Sequence, residues 1–304
     1  MVSCNSLVAL HGASLERFEA VEPHMGTLVQ IRLYARDAVA AQRVFERAFQ
    51  RIRELEEKLS DYRPDSEFTR LSRSPKGVPI PVSHDVMRVI ELAQEIAQAT
   101  GGAFDITLGP LVSLWREARK TKQLPEPYAV AIARQRCGYQ FLRIDKRRHT
   151  VTLLRDSMLL DAGGIAKGFA ASEVVRLLRS LGVSRVLVAV SGDIAVGDPP
   201  PGKAGWMIEA EGEVYALQNA AISTSGDEHQ FVEIGGLRYS HILDPAIGLG
   251  LTRSKPVSIV APEGAVADAL ATACSVRPCS AELLSRFQAR QLFPSPRTTS
   301  EPKP

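Results

Sequence analysis

The sequence predicts an α+β fold in which mixed β-sheets are flanked by helices. Short alternating or continuous apolar runs, which are typical of strands, recur along the whole chain. Longer stretches with apolar residues at helical spacing lie between them. The central residues 159–197 combine both patterns, because they predict a strand, a glycine-rich turn, a helix and a second strand in succession. The 304 residues are enough for a sizeable core, built as one large domain or as two intertwined halves.

The central unit begins with the apolar run Met158-Leu159-Leu160, which the turn Asp161-Ala162-Gly163-Gly164 ends. A helix is predicted from Ala166 onward, because apolar residues then share one helical face, at Ala170, Val174, Leu177, Leu178 and Leu181. Gly182 stands where a glycine commonly ends a helix. Residues 186–190 are all apolar, which predicts a strand covered on both faces, and Ser191-Gly192-Asp193 closes the unit.

The N-terminal half is predicted to hold a strand at residues 27–34 and two long helices. Asp37 is the predicted N-cap of the first helix, which ends in a polar loop at residues 60–66. Ser83 caps the second helix, and Gly101-Gly102 ends it. Pro110 then opens a shorter helix, and a basic loop follows at residues 120–127. A short helix at residues 129–136 leads to a strand pair at residues 141–144 and 151–154.

The C-terminal half is predicted to be rich in strands. Residues 207–210 and 214–217 predict two strands joined at Gly212. Residues 231–234 and 237–240 flank Gly235-Gly236, a strong hairpin signal, and this hairpin brings His241 to the end of a strand. A strand at residues 257–260 and a helix at residues 264–275 follow. Beyond Pro278 the pattern weakens to a helical segment around Leu283, an apolar run at residues 289–293 and a tail that we expect to be disordered.

Composition and charge exclude several classes of partner. Apolar residues make up 45% and charged residues 23% of the chain, as in ordinary globular proteins. The net charge of +3 is too small to predict a nucleic-acid partner. No apolar run approaches the ~20 residues of a membrane-spanning helix. The N-terminus lacks the basic segment and sustained apolar core of a signal peptide.

The four cysteines, Cys4, Cys137, Cys274 and Cys279, have neither the spacing of a metal site nor a C-x-x-C motif. We interpret them as core or incidental thiols, which do not establish a redox compartment.

The glycine turn before the central helix is suited to bind a phosphate. Free backbone N–H groups and the positive end of the helix dipole both favour an anion at such a position. The turn nevertheless matches neither the G-x-G-x-x-G spacing of a dinucleotide fold nor a Walker loop, because its Lys167 precedes Gly168 instead of following it. On the glycines alone, a packing or turn role is the commoner interpretation.

Several segments of the sequence resemble one protein family. Residues Leu160-Asp161-Ala162-Gly163-Gly164-Ile165-Ala166-Lys167-Gly168-Phe169-Ala170, followed by Ser191-Gly192-Asp193, resemble the ApbE family, the FAD:protein FMN transferases. Further segments match that family in order, namely Met25-Gly26-Thr27, Phe104-Asp105-Ile106-Thr107 with Gly109-Pro110, Ile222-Ser223-Thr224-Ser225-Gly226-Asp227, Ser240-His241-Ile242-Leu243-Asp244-Pro245 and Ala267-Asp268-Ala269-Leu270-Ala271-Thr272. The resemblance implies an ApbE-like domain at residues 21–293, between an N-terminal segment at residues 1–20 and a tail at residues 294–304. Because the motifs are scattered yet must meet at one ligand, we expect two intertwined halves.

The activity implied by the resemblance is a phosphotransferase-type reaction. A Thr or Ser hydroxyl of an acceptor flavoprotein attacks the flavin-side phosphate of FAD in the presence of Mg²⁺, which leaves FMN attached and releases AMP. His241 is the acid–base candidate, because imidazole exchanges a proton near neutral pH and because its segment matches the family's catalytic segment.

The resemblance also implies the ligand contacts. The predicted FAD-binding residues are Met25, Tyr62, Ala103, Phe104, Asp105, Asp161, Lys167, Phe169 and Leu243. Asp268 and Thr272 stand four residues apart, so on a helix they share a face and offer the hard oxygen ligands that Mg²⁺ prefers. The family adds a backbone carbonyl from the glycine turn, which maps to Ala166.

Other functions stay open from the sequence. If water replaces the acceptor hydroxyl, the same site is an FAD diphosphatase. A non-catalytic FAD carrier is a further alternative, although it would need neither His241 nor the Asp268 and Thr272 pair. A nicotinamide dehydrogenase is disfavoured by the missing G-x-G-x-x-G motif. Relatives are commonly exported and often lipid-anchored, so we expect a periplasmic or cell-envelope location with peripheral membrane association, or the cytoplasm if no export signal exists. The sequence indicates no oligomeric state.

Overall fold

The computed structural model describes residues 15–226, 231–252 and 255–293. The helices in this part of the chain are α1 (Ala38–Leu59), α2 (Glu67–Ser72), α3 (His84–Ala99), α4 (Gly109–Thr121), α5 (Pro127–Gln135), α6 (Ala166–Ser180), α7 (Gly264–Val276) and α8 (Ala281–Arg286). The strands are β1 (Glu16–His24), β2 (Thr27–Ala35), β3 (Ile80–Pro81), β4 (Leu142–Asp145), β5 (Thr150–Leu153), β6 (Val186–Val190), β7 (Asp193–Val196), β8 (Trp206–Ala210), β9 (Glu213–Leu217), β10 (Ala220–Ser225), β11 (Phe231–Ile234), β12 (Leu237–Ser240), β13 (Leu243–Asp244), β14 (Leu249–Gly250), β15 (Val257–Ala261) and β16 (Arg290–Leu292).

A seven-stranded sheet in the order β1-β2-β6-β7-β10-β15-β16 forms the centre of the molecule, and each of its strands pairs antiparallel with its neighbours. The N-terminal hairpin joins this sheet through β6, and the C-terminal strands join it through β10. Both ends of the described chain therefore contribute to one sheet, as expected for intertwined halves. The predicted α+β fold of sheets flanked by helices is confirmed.

Apolar side chains alternate along the strands and bury both faces of this sheet. On one face, α1 and α6 cover Val29, Ile31 and Leu33 of β2, each fully buried. On the other face, the β8–β9 hairpin covers residues such as Leu187 and Ile222. Helices α3 and α7 lie in the largest core cluster, together with the small β3-β5-β4 sheet. The predicted Asp37 cap of α1 is present, since its Oδ1 accepts from the Ala40 N–H at 2.8 Å.

The central unit differs from its prediction at its start and at its end. Helix α6 begins at Ala166 as predicted, and Gly182 follows its C-cap with φ +84°. Residues 158–160 do not form a strand, because Leu159 makes only an isolated bridge to Leu108. The predicted strand after the helix is β6, and Ser191-Gly192 is a tight turn that returns the chain as β7, with Ser191 at φ +59°.

Helices α6 and α7 cross at unusually close range. A Cβ added to Gly168 would lie 2.1 Å from the carbonyl oxygen of Gly264, and a Cβ on Gly264 would lie equally close to the carbonyl oxygen of Gly168. Two glycines are therefore needed at the crossing. This contact sets the glycine turn that precedes α6 beside the face of α7 that carries Asp268.

The ends of the fold also differ from prediction. Strand β1 begins at Glu16, before the predicted domain boundary at residue 21, and pairs along its whole length with β2. The C-terminal apolar run forms β16, which pairs with β15 at the edge of the large sheet. The predicted disordered tail lies outside the described residues. In the described part of the chain, no helix is both long and apolar enough to cross a membrane.

The interpretation of the cysteines as thiols was wrong for two of them. Cys274 at the end of α7 and Cys279 form a disulfide across five residues. Their spacing suits neither a metal nor a C-x-x-C motif, but the chain turns back after α7 and brings their Cα atoms to 5.1 Å. Cys137 is a free thiol, and burial raises its pKa to about 12. Cys4 lies outside the described residues.

Candidate active site

Lys167 and two buried carboxylates form the charged centre of the site. Lys167 Nζ lies 2.7 Å from Asp193 Oδ2 and 3.8 Å from Asp268 Oδ2. Ser223 on β10 donates from Oγ to Asp193 Oδ1 at 2.5 Å. Burial alone would lower the pKa of Lys167, but Asp268 and Asp193 outweigh it and raise that pKa above its usual value. The start of α6, strand β7 and helix α7 thus converge on one ammonium group.

Asp268 lies in the second turn of α7 and is only 3% exposed. Its Oδ2 accepts a hydrogen bond from the Gly168 N–H at 3.2 Å. Burial, and after it repulsion by Asp193, raise the pKa of Asp268 to about 7, although Lys167 and the Gly168 N–H act in the opposite direction. A cation at this position would favour the ionised form of the carboxyl. Asp268 is therefore suited to hold one.

Thr272 lies one helical turn after Asp268 and faces the glycine turn. A Cβ added to Gly164 would lie 2.9 Å from Thr272 Oγ1, so Gly164 packs directly on that hydroxyl. Thr272 Oγ1 also lies 3.3 Å from Ser225 Oγ at the end of β10. Ser223 and Ser225 alternate with Thr224 along β10, and this strand periodicity points both serines toward the site.

The residues present fit Mg²⁺ better than a softer metal. Asp268, Thr272 and the backbone of the glycine turn offer hard oxygen atoms, and Mg²⁺ usually takes its remaining ligands from water or substrate phosphates. Among the described residues there is no group of three or more His, Cys, Asp or Glu side chains that could enclose a metal ion. Asp268 and Thr272 supply two side-chain ligands, so a Mg²⁺ ion held here would keep positions open for a substrate.

The carbonyl predicted as a metal ligand, that of Ala166, belongs to the first residue of α6. The first turn of α6 lies beside the face of α7 that carries Asp268, because the Gly168 N–H donates to Asp268 Oδ2 at 3.2 Å. The Ala166 carbonyl as the backbone ligand therefore stays a prediction.

A second group of residues joins Tyr62 to the start of the glycine turn. Asp161 accepts from the Gly163 N–H at 2.8 Å and from Arg116 Nη2 at 2.9 Å. The same Arg116 nitrogen donates to Asp61, and the guanidinium carbon lies 4.3 Å from the centre of the Tyr62 ring. Burial and the nearby Asp61 raise the pKa of Asp161 to about 7, while Arg116 opposes that rise. Tyr62 itself is 77% exposed.

Ala103, Phe104 and Asp105 follow the end of α3 and are all buried. A Cβ on Gly164 would lie 3.3 Å from Phe104 Cε2, so Phe104 supports the glycine turn from behind. Asp105 accepts from the N–H and the hydroxyl of Thr107, at 2.8 and 2.7 Å, and from the Tyr139 N–H at 2.8 Å. Its carboxylate is thereby committed to local structure, and a direct contact of Asp105 with FAD stays a prediction.

The remaining residues that were predicted to contact FAD lie in different parts of the fold. Met25 lies in the β1–β2 turn with φ +52°, and its N–H donates to Glu56 Oε1 at 3.0 Å. Phe169 is buried in the main core with the guanidinium carbon of Arg88 5.3 Å from its ring centre. Leu243 on β13 packs in a separate cluster with Trp115 of α4. For Phe169 and Leu243 the structure shows packing roles, and their contact with FAD stays a prediction.

His241 follows β12 directly, as the hairpin signal predicted. The preceding residue, Ser240, is anchored because its carbonyl accepts from Trp115 Nε1 at 3.1 Å and its N–H donates to the Leu251 carbonyl at 2.7 Å. The backbone that carries His241 is therefore fixed by α4 and by the segment after β14.

Sequence reasoning missed several residues of this site. Asp193 stands in the quoted Ser191-Gly192-Asp193 segment, so a signal existed, but only the structure shows that it pairs with Lys167. Ser223 and Ser225 could have been found from strand alternation in the quoted segment around them. Arg116 gave no signal, because a lone arginine on a helix is usually solvated.

Comparisons with known proteins agree with this geometry. A model of the ApbE family matches residues 25–291. The FAD:protein FMN transferase of Treponema pallidum is 32% identical over 288 residues, which cover 87% of this chain and 80% of that protein. The FAD:protein FMN transferase of Vibrio cholerae is 30% identical over 294 residues, which cover 91% of this chain and 86% of that protein.

Solved structures show the same architecture. The apo form of the flavinyl transferase ApbE of Pseudomonas stutzeri superposes with a TM-score of 0.81 at 27% identity, covering 91% of this chain and 90% of that one. The flavin transferase ApbE of Vibrio cholerae gives a TM-score of 0.81 at 27% identity, covering 91% of this chain and 93% of that one.

Proposed function

The chain belongs to the ApbE family of FAD:protein FMN transferases, and on that premise we propose that it transfers the FMN half of FAD to a Thr or Ser hydroxyl of an acceptor flavoprotein, in a Mg²⁺-dependent reaction that releases AMP. One observation carries the proposal beyond the family name. The glycine turn, Lys167, Asp268 and Thr272 meet in one place, and together they offer an ammonium group and oxygen ligands beside the start of a helix. These are the groups that a diphosphate under attack requires.

The oxygen ligands define where Mg²⁺ would be held. Asp268, Thr272 and the Ala166 carbonyl would bind it, and the ion would neutralise charge on the diphosphate. Lys167 supplies a further positive charge beside the same phosphates. Asp193 keeps that ammonium in place through a direct ion pair at 2.7 Å, and Ser223 fixes Asp193 in turn. The chain thus orients its cationic group before substrate arrives.

The reaction forms one bond to phosphorus and breaks another. The acceptor oxygen bonds to the flavin-side phosphorus, and the bond from that phosphorus to the bridging oxygen of the diphosphate breaks. AMP leaves with the bridging oxygen. The proton of the acceptor hydroxyl passes to the imidazole of His241, which is the general base in this proposal. FMN stays on the acceptor through a phosphoester.

The site supports hydrolysis by the same chemistry if water takes the place of the acceptor, so the deciding experiment varies the acceptor. The purified chain is mixed with FAD and Mg²⁺, with or without an unflavinylated acceptor protein, and AMP and protein-bound flavin fluorescence are measured. An acceptor whose target Thr is replaced by Val is the control. We expect AMP and bound flavin in equal amounts with the intact acceptor only. AMP without any acceptor would indicate a diphosphatase, and FAD binding without AMP would indicate a carrier.

We also propose a location in the periplasm or cell envelope, with peripheral membrane association. The Cys274–Cys279 disulfide supports it, because disulfides persist in oxidising compartments and are rare in the cytosol. Cell fractionation followed by thiol labelling tests this proposal. A protein found in the cytosol with both thiols reduced would contradict it.

A further inference from the structure

We propose that Arg116 is a positioning residue that holds Tyr62 as a rigid stacking platform for the flavin ring of FAD and ties this platform to Asp161 at the start of the glycine turn. The inference rests on the proposed use of FAD. Arg116 belongs to none of the sequence motifs and has no part in the proposed chemistry.

Three separate segments meet at the Arg116 guanidinium. Arg116 projects from α4, Asp61 and Tyr62 lie in the loop between α1 and α2, and Asp161 starts the glycine turn. The guanidinium carbon lies 4.3 Å from the centre of the Tyr62 ring, while Nη2 donates to both carboxylates. One side chain therefore contacts the ring and the turn at the same time.

Only arginine can make all of these contacts. Its guanidinium is planar, so one face stacks on an aromatic ring while the edge donates hydrogen bonds to carboxylates. Two carboxylates, those of Asp61 and Asp161, accept hydrogen bonds from this one cation. A lysine ammonium at this place would keep the charge but would lose the flat face against Tyr62.

Stacking on Arg116 affects how the opposite face of the Tyr62 ring can bind a ligand. A tyrosine that is 77% exposed on a loop would ordinarily sample several rotamers, and fixing it on binding would reduce the affinity for a ligand. Stacking on Arg116 restricts the ring before the ligand arrives. Because Asp161 belongs to the turn that precedes Lys167, the same contact also fixes the spacing between the ring platform and the phosphate-binding turn.

The test is a double-mutant cycle in FAD binding with Tyr62→Ala and Arg116→Met, measured by flavin fluorescence. We expect each single variant to raise the Kd for FAD by roughly fivefold to tenfold, the lower end of the effect of base stacking. The double variant should bind about as well as Tyr62→Ala alone, because Arg116 acts through the ring. Arg116→Lys should resemble Arg116→Met. Arg119→Met on the same helix is the matched control and should bind FAD like the wild type.

ADP binding and thermal unfolding separate this role from general structural support. ADP lacks the flavin ring, so its Kd should change less than about twofold in Arg116→Met. Additive effects in the double variant, or an equal loss of ADP binding, would overturn the inference. Asp61→Asn removes only one anchor of Arg116, and it takes the place of Arg116→Met in the cycle if that variant does not fold. Absence of FAD binding in the wild type would instead overturn the proposed function, and this inference with it.

Discussion

Asp268 illustrates why burial decides the effect of a substitution at a single residue. Its place on the helix face could be predicted from the sequence, but its burial could not. The carboxylate is buried in the second turn of α7, where it accepts from Gly168 and lies beside Lys167. The helix dipole acts mainly on the first turn and contributes little at this position.

We therefore predict that Asp268→Ala abolishes Mg²⁺-dependent AMP release and also destabilises the fold. The Gly168 N–H loses its partner, at a cost of about 1–3 kcal/mol in the free energy of unfolding. Asp268→Asn keeps a hydrogen-bond acceptor and should fold nearly as well as the wild type, while it still loses Mg²⁺-dependent turnover. AMP release across a Mg²⁺ titration, together with urea unfolding, measures both effects. Wild-type Mg²⁺ dependence in the Asn variant would contradict the metal assignment.

His241 is the second residue for which we predict the effect of a substitution. If it accepts the proton of the acceptor hydroxyl, His241→Ala should slow transfer on the order of 10²–10⁴-fold, the usual contribution of a positioned general base. FAD affinity should change little, because the proposed function assigns the diphosphate to Lys167 and to the Mg²⁺ ion. The transfer rate should rise with pH as the imidazole loses its proton, and this rise should disappear in the variant. Loss of FAD binding in His241→Ala would instead make it a binding residue.

The crossing of α6 and α7 is the element-level feature on which the site depends. Both helices could be predicted from their apolar faces, but their distance could not, because it is set by a glycine on each helix and not by periodicity. Gly168 contacts the Gly264 carbonyl, and a Cβ added to Gly168 would also lie 2.9 Å from the Cβ of Asp268. The packing of two helices thus fixes the position of the charged centre.

We predict that Gly168→Ala separates the two helices and impairs function and stability together. The added methyl cannot be accommodated, since backbone atoms surround it, and overpacking of this kind costs about 1–3 kcal/mol. Gly192→Ala is the matched control, because the nearest atom to its added Cβ is 3.6 Å away. The thermal unfolding temperature and the AMP release should both fall in Gly168→Ala, and the thermal unfolding temperature should stay near wild type in the control. Unchanged values in both variants would show that the crossing tolerates the methyl group.

At the scale of the whole molecule, the features that could be predicted from the sequence were those set by neighbouring residues. Caps such as Asp37, the Gly235-Gly236 hairpin and the glycine after α6 all act through neighbours in the sequence, and the structure has them as predicted. Contacts between distant segments were not predictable in this way. The pairing of Lys167 with Asp193, the Arg116 cluster and the closure of the Cys274–Cys279 disulfide depend on how the chain folds back.

A network of charged side chains joins the helices beneath the large sheet. Arg51 of α1 lies 2.5 Å from Asp85 Oδ1 of α3 and 2.8 Å from Glu173 Oε2 of α6, and Lys58 Nζ lies 2.6 Å from Asp85 Oδ2. Burial alone would raise the pKa of Asp85, but hydrogen bonds from Arg51 and Lys58 outweigh it and lower that pKa to about 2. The network therefore makes the stability of the whole fold depend on pH.

The sign of that dependence follows from the lowered pKa. The stabilisation by Asp85 is fully present above the pKa of the unfolded chain, which is near the ordinary 3.8, and it is lost as the pH falls toward 2. The shift corresponds to about 2 kcal/mol of unfolding free energy. We predict that Asp85→Asn loses about this much at pH 7 in urea unfolding, and that its difference from the wild type shrinks between pH 4 and pH 2. Asp65→Asn, at an exposed ion pair, is the control and should match the wild type throughout. A difference between Asp85→Asn and the wild type that stays constant down to pH 2 would show that packing, and not the charge of Asp85, links α1 to α3.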